Sequence, residues 1–264
     1  MLSSVLLKTI RDQRRALVWW VIGLLGTILM YAAFYPSIRD NAAQLEQYLA
    51  DMPDAFRNMV GGDFTSPEGY LSSETFAFLG PILLMVFTIG AGTRAIAGEE
   101  ESQTLDVLLS MPIRRRRVVF DKFVAMLGTT ASLVAVVWVA ILVFGPMFQL
   151  EVDLGNLTAA CLSLYLLAVG FGTIAIAVGA ATGSKGLAVG VPAAAALVTF
   201  ILNVLGPSVE ALKPFRKLSP FYYYWGAEPL RNGLDVGHAL VLAAIPLVTF
   251  LVALIAFERR DLAA

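Results

Sequence analysis

Six long apolar runs dominate the chain, and the polar residues fall in compact blocks between them. The runs extend approximately over Ala16 to Tyr35, Phe76 to Ile96, Phe123 to Phe148, Leu157 to Thr182, Leu187 to Leu205 and Ala239 to Phe257. Each is about 20 residues or longer, enough for an α-helix to cross the roughly 30 Å hydrocarbon core of a bilayer. Within that core every backbone amide must find its partner internally, and a continuous apolar run does so only as a helix. The pattern predicts an all-α polytopic membrane protein with six transmembrane helices in a single membrane domain. No repeat, low-complexity tract or soluble domain is evident, and no nucleic-acid partner is expected.

Shorter patterns flank the runs. Leu2, Val5, Leu6 and Ile10 recur at helical spacing opposite Lys8, Arg11 and Asp12. This suggests an N-terminal interfacial helix after which the chain turns to cross the membrane, or else an extension of the first span. Lys8, Arg11, Arg14 and Arg15 ahead of an apolar run resemble a secretory leader, but the run is long enough to span and no small-residue cleavage site follows it, so a retained helix is expected. The loop Pro36 to Glu74 carries Leu45, Leu49, Met52, Phe56 and Val60 near helical spacing. One or two short amphipathic helices are predicted there, broken by Pro53 and ended by Gly61 and Gly62.

Composition agrees with a bilayer environment: 58% of the 264 residues are hydrophobic and 15% charged, against about 25% charged in an ordinary soluble domain. The net charge of -1 says little, whereas the placement of charge says more. Of the 19 Lys and Arg, six lie in the first, third and fifth loops: Arg39, Arg57, Lys213, Arg216, Lys217 and Arg231. The remainder lie on the side of the termini. The positive-inside rule therefore puts both termini in the cytoplasm, as expected of a multi-pass protein of a prokaryotic plasma membrane. A single cysteine, Cys161, cannot build a disulfide framework or a cysteine-based zinc site within the chain.

The densest charged stretch, Gly98 to Lys122, reads GEEESQTLDVLLSMPIRRRRVVFDK. Glu99, Glu100 and Glu101 suit the first turn of a cytoplasmic helix, where exposed amides favour negative charge. Leu105, Leu108 and Leu109 then form an apolar stripe, and Pro112 favours the opening turn of the next helix. Arg114 to Arg117 follow at headgroup level. Two readings stay open on pattern alone. The stripe docks another protein, or it rests on the membrane while the arginines serve as topology signals.

The run from Ala97 to Lys122 resembles the signature of the permease subunits of type 2 ABC exporters, the ABC-2 family. That signature takes the form A-G-E-E-E-S-G-T-L-x-x-L-L-S-x-P followed by arginines, and Gln103 stands here where the family usually has glycine. The outward segment MPDAFRNMVGGDFTSPEGYLSSETF, the LSP of Leu218 to Pro220 and the closing FERRDL of Phe257 to Leu262 are similar to family members in place and order. The resemblance implies an export permease whose first cytoplasmic loop carries a coupling helix that docks on a nucleotide-binding subunit. Docking would then fall to Glu99, Glu100, Glu101, Thr104, Leu105, Leu108 and Leu109. It also implies a second permease copy or paralogue and surrounding membrane lipid as partners. The sequence holds no G-x-x-x-x-G-K-[ST] phosphate loop, so ATP and Mg are expected on a separate ATPase, with no cofactor in this chain.

Other residues add little chemistry. His238 is the only histidine and Cys161 has no basic neighbour in its run, so an enzyme is not expected. The spans hold almost no charge at mid-depth, which weakens a single-chain secondary transporter or channel, the alternative from another class. Asn203 in the fifth span either lines a substrate path or makes a helix-to-helix hydrogen bond. Gly179 with Gly183 and Gly186 with Gly190 have the spacing of close helix packing, which is expected within the subunit. Pro81, Pro192 and Pro246 interrupt spans and can kink them. The aromatic run Phe221 to Gly226 is expected in a belt at the membrane surface.

Overall fold

The computed structural model describes residues 5–42, 65–104, 114–207 and 209–260. Those residues form helices and no strands. We number the α-helices α1 (Val5–Asp40), α2 (Pro67–Ala95), α3 (Ala97–Glu101), α4 (Arg115–Met147), α5 (Leu154–Thr182), α6 (Lys185–Leu205), α7 (Pro220–Trp225), α8 (Pro229–Asn232) and α9 (Val236–Arg259). A 3-10 segment, Glu210–Leu218, joins α6 to α7. Six of these helices, α1, α2, α4, α5, α6 and α9, are long and apolar enough to cross a membrane. They contain the six runs read from the sequence to within one residue at the C-terminal ends, Ile96 and Phe148 being caps, and most are extended by polar turns.

The expected turn between an N-terminal interfacial helix and the first span is absent. Instead α1 runs unbroken for 36 residues from Val5, about 54 Å at the α-helical rise. Neither glycine nor proline occurs between Val5 and Ile22 to interrupt the ladder. The amphipathic helices predicted for Pro36 to Glu74 centre on residues outside the described ones.

The interior belongs to α2 and α5, and α1, α6 and α9 lie on the outside. Small residues set the closest approach. A Cβ added to Gly92 of α2 would strike the carbonyl oxygen of Gly172 in α5, and one added to Gly172 would lie 2.8 Å from Thr88 and from the Met126 sulfur. Thr88 also donates to the Ala168 carbonyl across the same contact at 2.8 Å. Backbones brought this near gain dispersion contact in a solvent that offers no hydrophobic drive between helices.

The glycine pairs on the adjoining helices divide differently from the expectation. Gly179 packs within the subunit, 3.4 Å from Ala97 and 3.6 Å from Ala188 measured from an added Cβ. Gly183 ends α5 in the left-handed conformation with φ 67°, so it serves as a cap. Gly186 and Gly190, expected to pack within the subunit, do not: a Cβ added to Gly190 would meet nothing within 4 Å, and one added to Gly186 only the Ser184 hydroxyl of its own helix cap, at 3.9 Å.

Proline shapes α2 in a way the sequence pattern did not reveal. Ser72–Leu79 winds as a π-helix immediately before Pro81. Pro81 has no amide to offer the Phe76 carbonyl five residues back, and Tyr224 of α7 fills the gap, donating its hydroxyl to that oxygen at 2.7 Å. The LSP segment explains how α7 comes to be there. Ser219 is fully buried, donates to the Thr199 carbonyl of α6 at 2.7 Å and accepts from the Phe221 amide, while Pro220 opens the helix. The aromatic run is accordingly not a surface belt throughout. Phe221 is buried against Phe171 and Phe200, and Tyr224 is buried beside α2.

Candidate functional site

At the end of the bundle where both termini lie, α3 leaves α2 through a single residue, Ile96, whose backbone (φ -127°, ψ -63°) turns the chain. Ile96 and Ala97 are fully buried, so the short helix is seated in the bundle at its base. Successive residues on a helix point about 100° apart. Three consecutive glutamates therefore radiate, and each meets a different helix.

Glu99 accepts from the Lys122 ammonium of α4. Glu100 receives both terminal nitrogens of the Arg260 guanidinium at the end of α9, one of them at 3.0 Å. Glu101 pairs with Lys185 at the start of α6 at 3.0 Å. The three contacts differ in weight. Lys122 is 5% exposed and Glu99 14%, so breaking that pair would strand a charge away from water. Glu101 and Lys185 are both exposed, where an ion pair contributes about 0–1 kcal/mol.

The arginine run joins the same network. Arg115 donates to the Arg260 carbonyl at 3.0 Å, Arg116 forks onto the Glu258 carboxylate, and Arg117 donates to Asp121 at 3.2 Å. Three of the four arginines are thus engaged within the chain in addition to marking topology. The close of α5 makes room for this arrangement, because a Cβ on Gly183 would strike the Arg260 guanidinium. The glutamate run, the arginine run and the FERR close, far apart in sequence, meet at one place.

The helix expected around Glu99 to Ser110 is interrupted at Ser102 and Gln103; Thr104 is helical again, and residues 105–110 lie outside the described ones. Helix α3 stops at Glu101, and Gln103 takes the left-handed conformation with φ 55°. Hydroxyls compete for the helix carbonyls at this point. Ser102 donates to the Gly98 carbonyl at 2.8 Å and Thr104 to that of Glu99 at 3.1 Å. Left-handed backbone is where glycine is least strained, so the glycine usual at this position in the resembling signature has a physical reason. Leu105, Leu108 and Leu109 lie outside the described residues.

Asn203 lies on α6, 18 residues beyond Lys185 and toward the opposite end of the bundle. It is buried and accepts from Arg216 of the 3-10 segment at 3.3 Å, so its partner comes from a connecting segment and not from another span. His238 packs beside the rings of Tyr222 and Tyr223, and Cys161 is buried in α5. Sequence reading missed Glu258, Arg260 and Lys185 as ion-pair partners, and it took Lys122 for a topology charge. Each stands at the end of a span. That placement was visible, but its pairing depends on how the helices are arranged in space.

No curated protein matches the chain. A family model described as ABC-2 family transporter protein matches residues 3–262. The match takes in the glutamate turn, all six candidate spans and the charged close of α9, and the chain therefore belongs to the ABC-2 transporter family, as a permease component of an ABC-type transporter.

Proposed function

We propose that this chain is the membrane-spanning half of an ATP-driven exporter of the plasma membrane, with both termini in the cytoplasm. ATP and Mg are bound and hydrolysed by a separate ATPase subunit, and a second permease copy or paralogue completes the path. The observation that carries this reading is the attachment of α3 to three other helices through Glu99, Glu100 and Glu101. A short helix held in that way passes a push from outside the membrane directly to α4, α6 and α9. Leu105, Leu108 and Leu109, next in sequence, supply the apolar contact with the ATPase. The buried charged residues among those described, Asp121 and Lys122, lie at this one end, which disfavours an ion-coupled carrier with charges at mid-membrane depth.

The test is copurification from native membranes with identification by mass spectrometry. An ABC ATPase should accompany the chain, and the chain alone should hydrolyse ATP no faster than a blank. Replacing Leu108 and Leu109 together by alanine should weaken the complex about tenfold or more, given roughly 1.5–3 kcal/mol for a buried leucine. Hydrolysis by the isolated chain, or full-strength binding by the double variant, would sink this division of labour.

A further inference from the structure

Helix α2 is largely buried, yet Phe78, Ile82, Val86 and Arg94 are exposed, and Gly90 completes the same four-residue series. Residues four apart are surface neighbours on a helix and their row drifts by about 40° a step, so these five form one continuous ridge that winds across α2. Helices border it on both sides. Trp20 of α1 packs edge-on against Phe87 at 5.7 Å, and Phe200 of α6 packs against Phe78 at 5.5 Å. A cavity of about 270 Å³ lies between α2 and α6 around Ile82 and Leu197, and one of about 390 Å³ between α1 and Leu83. From Phe78 to Gly90 the strip is about 18 Å long at the α-helical rise, close to the ~15 Å depth of one bilayer leaflet.

The strip ends in charge. Arg94 lies back over Gly90, its guanidinium 3.6 Å from where a Cβ would stand, and no carboxylate among the described residues pairs with it. Beside it opens a cavity of about 740 Å³ at the termini end, bordered by four cations, Lys8, Arg94, Lys122 and Lys185, against two carboxylates, Asp12 and Glu99. Lys122 is already engaged by Glu99 and Lys185 by Glu101, which leaves Lys8 and Arg94 against Asp12. The Gln13 and Thr93 side-chain oxygens in the same wall are buried without a partner.

We propose that this groove binds an anionic phospholipid of the leaflet on the termini side, its phosphate on Arg94 and Lys8 and one acyl chain along Gly90, Val86, Ile82 and Phe78. The apolar strip alone would accept any lipid tail. The Arg94 guanidinium, which has no carboxylate partner among the described residues, is folded toward the tail at leaflet depth and selects the negative head. The absence of a side chain at Gly90 lets the Arg94 guanidinium lie against the helix where the head would meet the tail.

The full-length chain in phosphatidylcholine vesicles, containing a small fraction of phosphatidylglycerol with a diazirine on one acyl chain, provides the test. Irradiation should label the peptide Phe78–Arg94, and the labelling should be displaced by unlabelled phosphatidylglycerol but not by extra phosphatidylcholine. Arg94→Gln should lower this labelling about tenfold without changing the melting temperature, because no carboxylate among the described residues pairs with Arg94. Arg94→Lys should retain part of it, and Gly90→Leu should block it by displacing the Arg94 guanidinium. Equal displacement by phosphatidylcholine, undiminished labelling in Arg94→Gln, or displacement by inorganic phosphate at the same concentration as by the lipid would each overturn the proposal. The measurement involves no ATPase, so it stands or fails separately from the division of labour proposed above.

Discussion

Lys122 and Glu99 form the most enclosed ion pair of the network, and what each would do alone decides how much the pair matters. Bringing two charges out of water costs several kcal/mol, and their attraction recovers this only while both are present. Lys122→Met should therefore destabilise the protein by about 3 kcal/mol or more, since it leaves the Glu99 carboxylate stranded with one oxygen already lacking a partner. Pairing it with Glu99→Gln should recover most of the loss, because no charge is then buried unmatched. Melting temperatures of the two single variants and the double variant in one detergent would measure the coupling. Strict additivity would show that the pair does not act as a unit.

At the scale of elements, charge order explains why α3 needs both its neighbours and its brevity. Extending it as a regular helix would carry the chain past Ser102 without the hydroxyl contacts that close it, and Gln103 in the left-handed region marks the stop. Glu100 meets Arg260 through a two-pronged contact, the geometry that distinguishes arginine from lysine at a carboxylate. Glu100→Lys should place two cations together, lower the melting temperature and loosen the end of α9 from α3. The exchange Glu100→Arg with Arg260→Glu should restore the attraction and with it most of the stability. Trypsin cleavage near Arg259, followed over time, would report release of the α9 end. Unchanged cleavage in Glu100→Lys would mean that the contact holds nothing in place. The spans were legible because apolar length is a local property with one solution in lipid. By contrast, the contacts of Glu99, Glu100 and Glu101 were not, because each partner lies on a different helix whose position no local pattern encodes. The π-helix before Pro81 stayed hidden for a related reason. Its cause is partly local, in the proline, and partly remote, in the Tyr224 hydroxyl that makes the irregular winding tolerable. Among the glycines, spacing alone suggested packing for Gly183, which acts as a cap next to Arg260.

For the whole molecule, orientation decides which partners can reach the network of charges. In the orientation proposed above from the excess of Lys and Arg on the side of the termini, α3, Arg115 to Arg117 and the end of α9 face the cytoplasm, where an ATPase would act, and the 3-10 segment Glu210–Leu218 faces outside. Topology can be tested with single introduced cysteines and a membrane-impermeant maleimide added to intact cells. The native Cys161 is 4% exposed within α5, so it should stay silent and need not be removed. Glu210→Cys, on the exposed start of the 3-10 segment, should react before lysis. Gln103→Cys, in the exposed turn after α3, should react only once the membrane is opened. The reverse order would turn the molecule over. It would leave every helix contact intact and place the three-glutamate turn where no cytoplasmic ATPase could touch it.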